Sequence, residues 1–291
     1  MGLDEKFLLL KKLLKQYGRV AIAFSGGLDS CFLLHTALQV LGRDHVLALT
    51  VDYPYIHRSS IREAIETASS MGAQHIIIRD NNIMKEIEIA MNLESRCYKC
   101  KKRMMQLLKQ AALKTGFTIL VDGTNKSDLA ENRPGIKALK EEGVESPLAI
   151  AGLSRQDIIK LARKQELPFW NKPPNTCLLT RLPRGYMVLE EDLRKIEEAE
   201  ETLRTRLGKT ILLRARHHGD LLRIEVKRED LPHVIKLLVE DYKLVTKLKS
   251  IGYSFITVDL EGYRESKTCT QEQAITKDAE LNSSRIILNS D

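Results

Sequence analysis

Residues 19–30, RVAIAFSGGLDS, constrain this chain more than any other stretch. Val20-Ala21-Ile22-Ala23-Phe24 is a short apolar run suited to a strand buried on both faces, as in a parallel sheet. From Asp29 onward, Leu33, Leu34, Ala37 and Leu38 recur at helical spacing. Ser25-Gly26-Gly27-Leu28 is therefore a strand-to-helix turn. Its backbone N–H groups face outward at the positive end of a helix dipole, which makes it an anion site.

Further apolar runs at Val46–Val51, His75–Ile78 and Thr118–Val121 alternate with helical patterns at Arg58–Met71 and Tyr98–Leu113. This alternation predicts an α/β fold, a Rossmann-like parallel sheet with helices on both faces. LSRQDIIKLARKQELP predicts another helix, with Ser154 as N-cap and Pro168 past its end. The segment PFWNKPPNTCLLTRLPRGY is proline-dense and aperiodic, as expected of an ordered loop or a domain boundary. Beyond it, a charged helix (Leu189–Leu207), strands at Thr210–Arg216 and Leu221–Val226 joined by HHGD, and a later SFITVDL predict a smaller α+β domain. The expected division is 1–182 for the domain that carries this loop and the parallel sheet, 183–264 for the small domain that serves substrate binding or oligomerisation, and 265–291 for a disordered tail.

The 291 residues are 43% hydrophobic and 29% charged, and no window approaches the roughly 18 apolar residues of a membrane span. The N-terminal pattern, with Phe7, Leu10 and Leu14 on one side, is an amphipathic helix without a secretory cleavage site. The expectation is a cytoplasmic protein with no membrane partner. The formal charge of +7 is spread over helices and interleaved with acids, as in LRKIEEAEETLRTR, so solvated helix faces are favoured over a nucleic-acid groove.

Three phosphate-loop patterns compete for SGGLDS. The dinucleotide spacing G-x-G-x-x-G is absent. A Walker A match at Gly208-Lys209-Thr210 fails because position 203 is leucine. The pattern S-G-G-x-D-S remains, and it resembles the signature of the PP-loop ATP pyrophosphatases. Gly26 and Gly27 allow close approach of backbone to phosphate, Ser25 and Ser30 add hydroxyl donors, and Asp29 suits Mg²⁺ held by the phosphates. The resemblance implies cleavage of ATP between its α and β phosphates, with AMP passed to a substrate oxygen. At fold level it also places adenosine near Val51.

VDGTNKSDLAENRPGIKALKEEGVESPLA sets Asp122, Gly123, Thr124 and Asn125 at the carboxyl end of a strand, where ligands gather in open α/β sheets. Asp128 and Arg133 follow. Their plain reading is a helix cap and a surface arginine. Their functional reading is an acid near Mg²⁺ and a cation against phosphate or adenylate. Through SPLAIAGLSRQDIIKLARKQELPFWNKPPNTCLLTRLPRGY, LRARHHGDLLRIEV and DLEGYR, about residues 5–264, the chain resembles the LarE family. Those are sulfur transferases of nickel-pincer nucleotide synthesis. The tail beginning ESKTCTQEQ departs from the family's small, Ser/Gly-rich continuation.

There are five cysteines. Cys31 lies on the helix after the loop and is expected to be a buried small hydrophobe. Cys269 sits in the polar tail and is assigned no role. Cys97 and Cys100 form RCYKC, and Cys177 lies in the proline-rich segment. A lone C-x-x-C admits a redox pair, but a zinc knuckle would want further ligands. The resemblance adds two readings. In one, Cys97, Cys100 and Cys177 hold a [4Fe–4S] cluster whose unligated iron carries a deliverable sulfide. In the other, Cys177 surrenders its own sulfur. The cluster is the favoured expectation. Arg96, Lys99, Lys101 and Arg181 are expected to lower the thiol pKa values and attract an acidic substrate. Arg214 and Arg216, alternating on one strand face, are candidate substrate grips, and His217-His218 reads as turn chemistry.

These expectations combine into one enzyme. On the resemblance, it would use ATP, Mg²⁺ and a [4Fe–4S] cluster to adenylate an acidic pyridinium mononucleotide and thiolate it, with Cys97, Cys100, Cys177, Asp128, Arg133 and Arg181 as candidate catalytic residues. A sulfide or sulfur-donor protein and a homo-oligomeric assembly complete the expectation. A tRNA thiolase and a non-catalytic nucleotide sensor on the same fold are the rivals.

Overall fold

The computed structural model describes residues 1–130, 134–174, 176–208 and 211–264. Arg133, Lys209, Thr210, Cys269 and the expected tail lie outside the described residues. Four parallel strands, β1 (Val20–Ala23), β2 (Val46–Asp52), β3 (Gln74–Arg79) and β4 (Leu120–Asp122), form a sheet in the order β3-β2-β1-β4. Side chains alternate across it as strand geometry requires. Val20, Ile22, Val46 and Ala48 face a core shared with the helices Leu3–Tyr17, Leu28–Leu41 and Arg155–Lys164. Ala21, Leu47, Leu49 and Val51 face a second core with the helix Arg96–Lys114. β2 is buried along its whole length because neighbours and helices cover it on every side. The outer edge of β4 is covered by Glu145, whose carbonyl accepts from Asp122 N at 2.9 Å and whose N–H donates to Leu120 O at 3.2 Å.

The helix Glu190–Leu207 spans two cores. Leu193 and Ile196 pack into the second core of the parallel sheet, and Ala199, Leu203 and Leu207 pack into that of the small domain. There, β5 (Leu213–His218) and β6 (Leu221–Val226) are antiparallel, and β7 (Phe255–Val258) joins β6 in parallel. The expected first strand thus begins and ends later than its sequence pattern suggested. His217 pairs with Leu222 and His218 with Leu221, so both histidines belong to the strand and Gly219-Asp220 makes the turn. No helix among the described residues is long and apolar enough to cross a membrane.

Candidate active site

The loop leaves β1 through Phe24, whose N–H donates to Leu49 O at 2.8 Å, and turns sharply at Gly26. Gly26 has φ +71°, in the left-handed region, and a Cβ there would lie 3.1 Å from both Cα and Cβ of Ala64. Only glycine meets both conditions without strain. Ser25 Oγ and Ser30 Oγ lie 3.1 Å apart, and Ser30 Oγ donates to Gly27 O at 3.1 Å. Gly27 caps the helix Leu28–Leu41 with no side-chain acceptor, so the first-turn N–H groups face outward. Lys172, from the proline-rich segment, donates to Gly26 O at 3.2 Å, a contact that sequence reasoning missed.

The end of β4 backs directly onto this loop. A Cβ on Gly123 would stand 3.0 Å from Ser30 N, so the glycine is what lets the two meet. Asp122, 3% exposed, accepts from Thr124 N (3.1 Å), Thr124 Oγ1 (2.7 Å), Ser146 Oγ (2.7 Å) and Lys101 Nζ (3.2 Å). A cavity of about 200 Å³ opens beside Thr124 and Ser146, walled by Leu139, Val144 and Ile150. Asn125 caps the following short helix, accepting from Ser127 N at 2.8 Å, while Asp128 accepts from Asn125 N at 3.0 Å. Asp128 thus makes the cap contact of the plain reading, and it also lies within electrostatic reach of Asp29.

Asp29 pairs with Arg155 at 2.6 Å, another partner unseen in the sequence because 126 positions separate them. Burial pushes the Asp29 carboxyl above its ordinary range; Arg155 opposes the shift and Asp128 adds to it. Its Oδ1 is buried and accepts no hydrogen bond of ordinary geometry, although Asn125 lies near enough to favour the ionised form. A buried carboxylate oxygen without a hydrogen-bond donor, beside a second acid, fits Mg²⁺ brought by the phosphates. Val51 has its side chain in the core, which leaves its backbone as what it can offer adenosine.

The three candidate thiols share one neighbourhood. Tyr55 Oη donates to Cys100 Sγ at 3.1 Å, and Tyr55 O accepts from Leu178 N at 2.9 Å, which ties the Cys177 loop to the Cys97/Cys100 helix. Cys97 and Cys177 lie within electrostatic reach of Cys100, and Cys97 within reach of Cys177. The expected lowering of thiol pKa values is overturned for Cys100 and Cys177. Burial drives Cys100 up to about 12 and raises Cys177 despite Arg96 and Arg181. Three of the four expected cations are engaged elsewhere: Lys99 with Glu88 (3.3 Å), Lys101 with Asp122, and Arg181 with Glu200. As placed, no three His, Cys, Asp or Glu side chains among the described residues converge to hold a metal ion.

Arg181, a candidate catalytic cation, is instead fully buried. It donates from Nε to Glu200 Oε1 at 2.8 Å and from Nη1 to Thr176 O (2.8 Å) and Cys177 O (3.1 Å). It clamps the cysteine loop to the helix Glu190–Leu207 rather than presenting its charge to a ligand. Arg214 and Arg216 do share a face of β5, as alternation predicts, but they too grip this loop. Arg214 donates to Pro174 O at 2.8 Å, and Arg216 donates to Thr180 O while pairing with Glu225 at 2.9 Å. Burial lowers Arg214 to about 10. His217 is buried, with Tyr253 Oη 3.2 Å from Nδ1 and Asp192 Oδ1 3.4 Å from Nε2. It is a core polar group and not turn chemistry.

The sequence model of the PP-loop domain matches residues 4–164, more than half of the chain. An uncharacterised protein of Synechocystis sp. is 35% identical over 268 residues, covering 91% of this chain and 97% of that protein. An uncharacterised protein of Methanocaldococcus jannaschii is 34% identical over 264 residues, covering 89% and 98%. The pyridinium-3,5-bisthiocarboxylic acid mononucleotide synthase of Lactiplantibacillus plantarum is 31% identical over 266 residues, covering 90% and 94%. With the PP-loop model matching more than half of the chain and this last match running nearly end to end, the chain belongs to the PP-loop family and, within it, to the LarE-type ATP-dependent sulfur transferases.

Proposed function

We propose that this enzyme adenylates a carboxylate of a pyridinium mononucleotide and converts it to a thiocarboxylate with sulfur from the Cys97/Cys100/Cys177 centre. The observation that carries the reading is the contact of Gly123 with Ser30, together with the Lys101–Asp122 pair. It puts the phosphate loop, the β4 end and the cysteine-bearing helix around one place. Ser25–Ser30 would hold the phosphates, and Asp29 with Asp128 the Mg²⁺ that neutralises them. A substrate carboxylate oxygen bonds to the α phosphorus as the α–β bridging bond breaks, and pyrophosphate leaves with the electron pair. This step turns a poor leaving oxygen into AMP. The sulfur nucleophile then bonds to the acyl carbon as AMP departs.

Residues 1–182 carry the nucleotide chemistry in this reading, and 183–264 hold the sulfur loop in place and supply an assembly surface for a homo-oligomer. Arg133 remains a candidate phosphate cation outside the described residues. The test is substrate-dependent pyrophosphate release, with mass spectrometry of the product for an oxygen-to-sulfur exchange. Pyrophosphate release without substrate, or none with it, contradicts the proposal. Salt-sensitive binding of bulk tRNA would favour a thiolase instead.

For the sulfur itself we favour a [4Fe–4S] cluster on the three thiolates, because Tyr55 ties the Cys97/Cys100 helix to the Cys177 loop. When bound, such a cluster would leave one iron open to carry a sulfide. The thiols as placed do not converge, which favours a second reading that needs only Cys177. There the Cys177 thiolate attacks the acyl carbon, a base removes its Cα proton, and the Cβ–Sγ bond breaks to leave dehydroalanine. Anaerobic purification with iron and sulfide analysis of wild type and Cys177→Ala decides between them. Iron in the wild type that drops in the variant supports the cluster. Iron absent from both, with loss of hydrogen sulfide from Cys177 after turnover, supports the sacrificial route.

A further inference from the structure

Lys172 meets the phosphate loop from the proline-rich segment, and the phosphate chemistry above leaves it without a task. Its Nζ donates to Gly26 O at 3.2 Å and stands 3.5 Å from Glu63 Oε2. These two partners engage at most two of the three N–H donors of an ammonium, and the side chain is 26% exposed. Glu63 is itself half exposed, so the pair does little to hold the lysine in place. Cys31, in the first turn of the helix Leu28–Leu41, feels the charges of Lys172, Asp29 and Glu63 together. The ammonium therefore stands at the helix end where the loop's N–H groups face outward. Acids suited to a metal gather around Asp29, and a cation waits at Gly26.

We propose that Lys172 moves from Gly26 O onto the β or γ phosphate of bound ATP and stays with the pyrophosphate as it leaves. The inference rests on the α–β cleavage proposed for this enzyme. As that bond breaks, its electron pair goes to the pyrophosphate oxygen, and charge builds on the group that Lys172 holds. The ammonium donates a hydrogen bond and keeps its proton. A lysine suits this exchange because its point charge rides on a flexible four-carbon stem. A neutral carbonyl is a weaker acceptor than a phosphate oxygen, so the exchange runs toward phosphate. Lys172 also lies five positions before Cys177. Arg214 holds that segment at Pro174 O, and Arg181 holds it at Thr176 O and Cys177 O. The polyphosphate thus seats the segment that bears the sulfur loop, and its departure returns Lys172 to Gly26.

The test is equilibrium binding of ATP, AMP and pyrophosphate to the full chain with no acceptor present. Lys172→Gln should weaken ATP and pyrophosphate by about tenfold and leave AMP unchanged, and Lys172→Arg should recover part of the loss. Glu63→Gln removes the competing partner and should tighten ATP by about twofold. Equal losses for ATP and AMP in Lys172→Gln would mean that the lysine only braces the loop, which overturns the proposal. Protection of the wild type gives an answer even where a variant fails to fold. Pyrophosphate should slow acetylation of Lys172, followed by peptide mass spectrometry, relative to Lys243 on the small domain, and AMP should not. Equal acetylation of Lys172 with and without pyrophosphate overturns the contact. Pyrophosphate should also slow alkylation of Cys177 by iodoacetamide in wild type but not in Lys172→Gln; no change in wild type overturns the link to the sulfur loop. None of these readouts uses the pyridinium substrate, so a failure of sulfur transfer would count against the function and leave the phosphate contact standing.

Discussion

Gly26 shows how narrowly a single residue can determine the course of the loop after β1. Its φ of +71° disfavours any side chain, and its missing Cβ is what leaves room for Ala64. Gly26→Ala should therefore cost about 1–2 kcal/mol from the backbone alone. It should also weaken ATP binding by about tenfold or more, because the loop must shift to relieve the contact. Thermal melts and nucleotide titration check this together; unchanged values in both would show that the loop does not need that conformation. The glycines, serines and Asp29 were legible in the sequence because a phosphate loop is a local device. Arg155 and Lys172 were not, since nothing in RQDI or NKPP marks a side chain that crosses the fold to meet Asp29 or Gly26.

At the level of elements, the helix Arg155–Lys164 begins as its sequence predicts, with Ser154 Oγ accepting from Asp157 N at 3.2 Å in a reciprocal capping box. Ser154→Ala should lower stability by about 1 kcal/mol and disturb Arg155 at the next position, a change that chemical denaturation would register. The helix Glu190–Leu207 carries a different feature. Burial opposes ionisation of Glu200, but Arg181, His57 and Arg204 hold its carboxyl down at about 2. Burial lowers His57 from 6.5 to about 4, against the pull of Glu200 and with the help of Arg181, Arg204 and Arg214. Both folded pKa values lie below the unfolded ones. Their stabilisation is complete above about pH 6.5 and is lost as pH falls, first for His57 between about 6.5 and 4 and then for Glu200 toward about 2. The His57 window should amount to roughly 3 kcal/mol. Melting temperature against pH should fall more gently across that window in His57→Gln than in wild type; parallel curves would contradict the assignment.

Across the whole molecule, the small domain holds the cysteine loop from outside. Arg214 and Arg216 grip Pro174 O and Thr180 O, Arg181 joins the loop to Glu200, and Arg58 N donates to Glu197. Arg216→Met should leave pyrophosphate release nearly unchanged, because the phosphate loop is untouched. Thiocarboxylate formation should drop by about a hundredfold, since a sulfur displaced by an ångström no longer meets the acyl carbon. Separate assays of the two half-reactions check this. Equal loss in both would mean that the loop serves nucleotide binding as well.

The sequence by itself determined the parallel α/β sheet, the phosphate loop at the end of β1, the cap at Ser154 and the alternation that puts Arg214 with Arg216. Each follows from spacing within a few residues, where backbone geometry leaves few choices. The tertiary structure alone decided what the charges do. Arg181, Arg214 and Arg216 read as ligand cations in one dimension but become struts in three, because burial obliges each guanidinium to find nearby acceptors. The same burial raised Cys100 and Cys177 where neighbouring cations predicted the reverse. Desolvation depends on what packs around a group, and chain order does not record that.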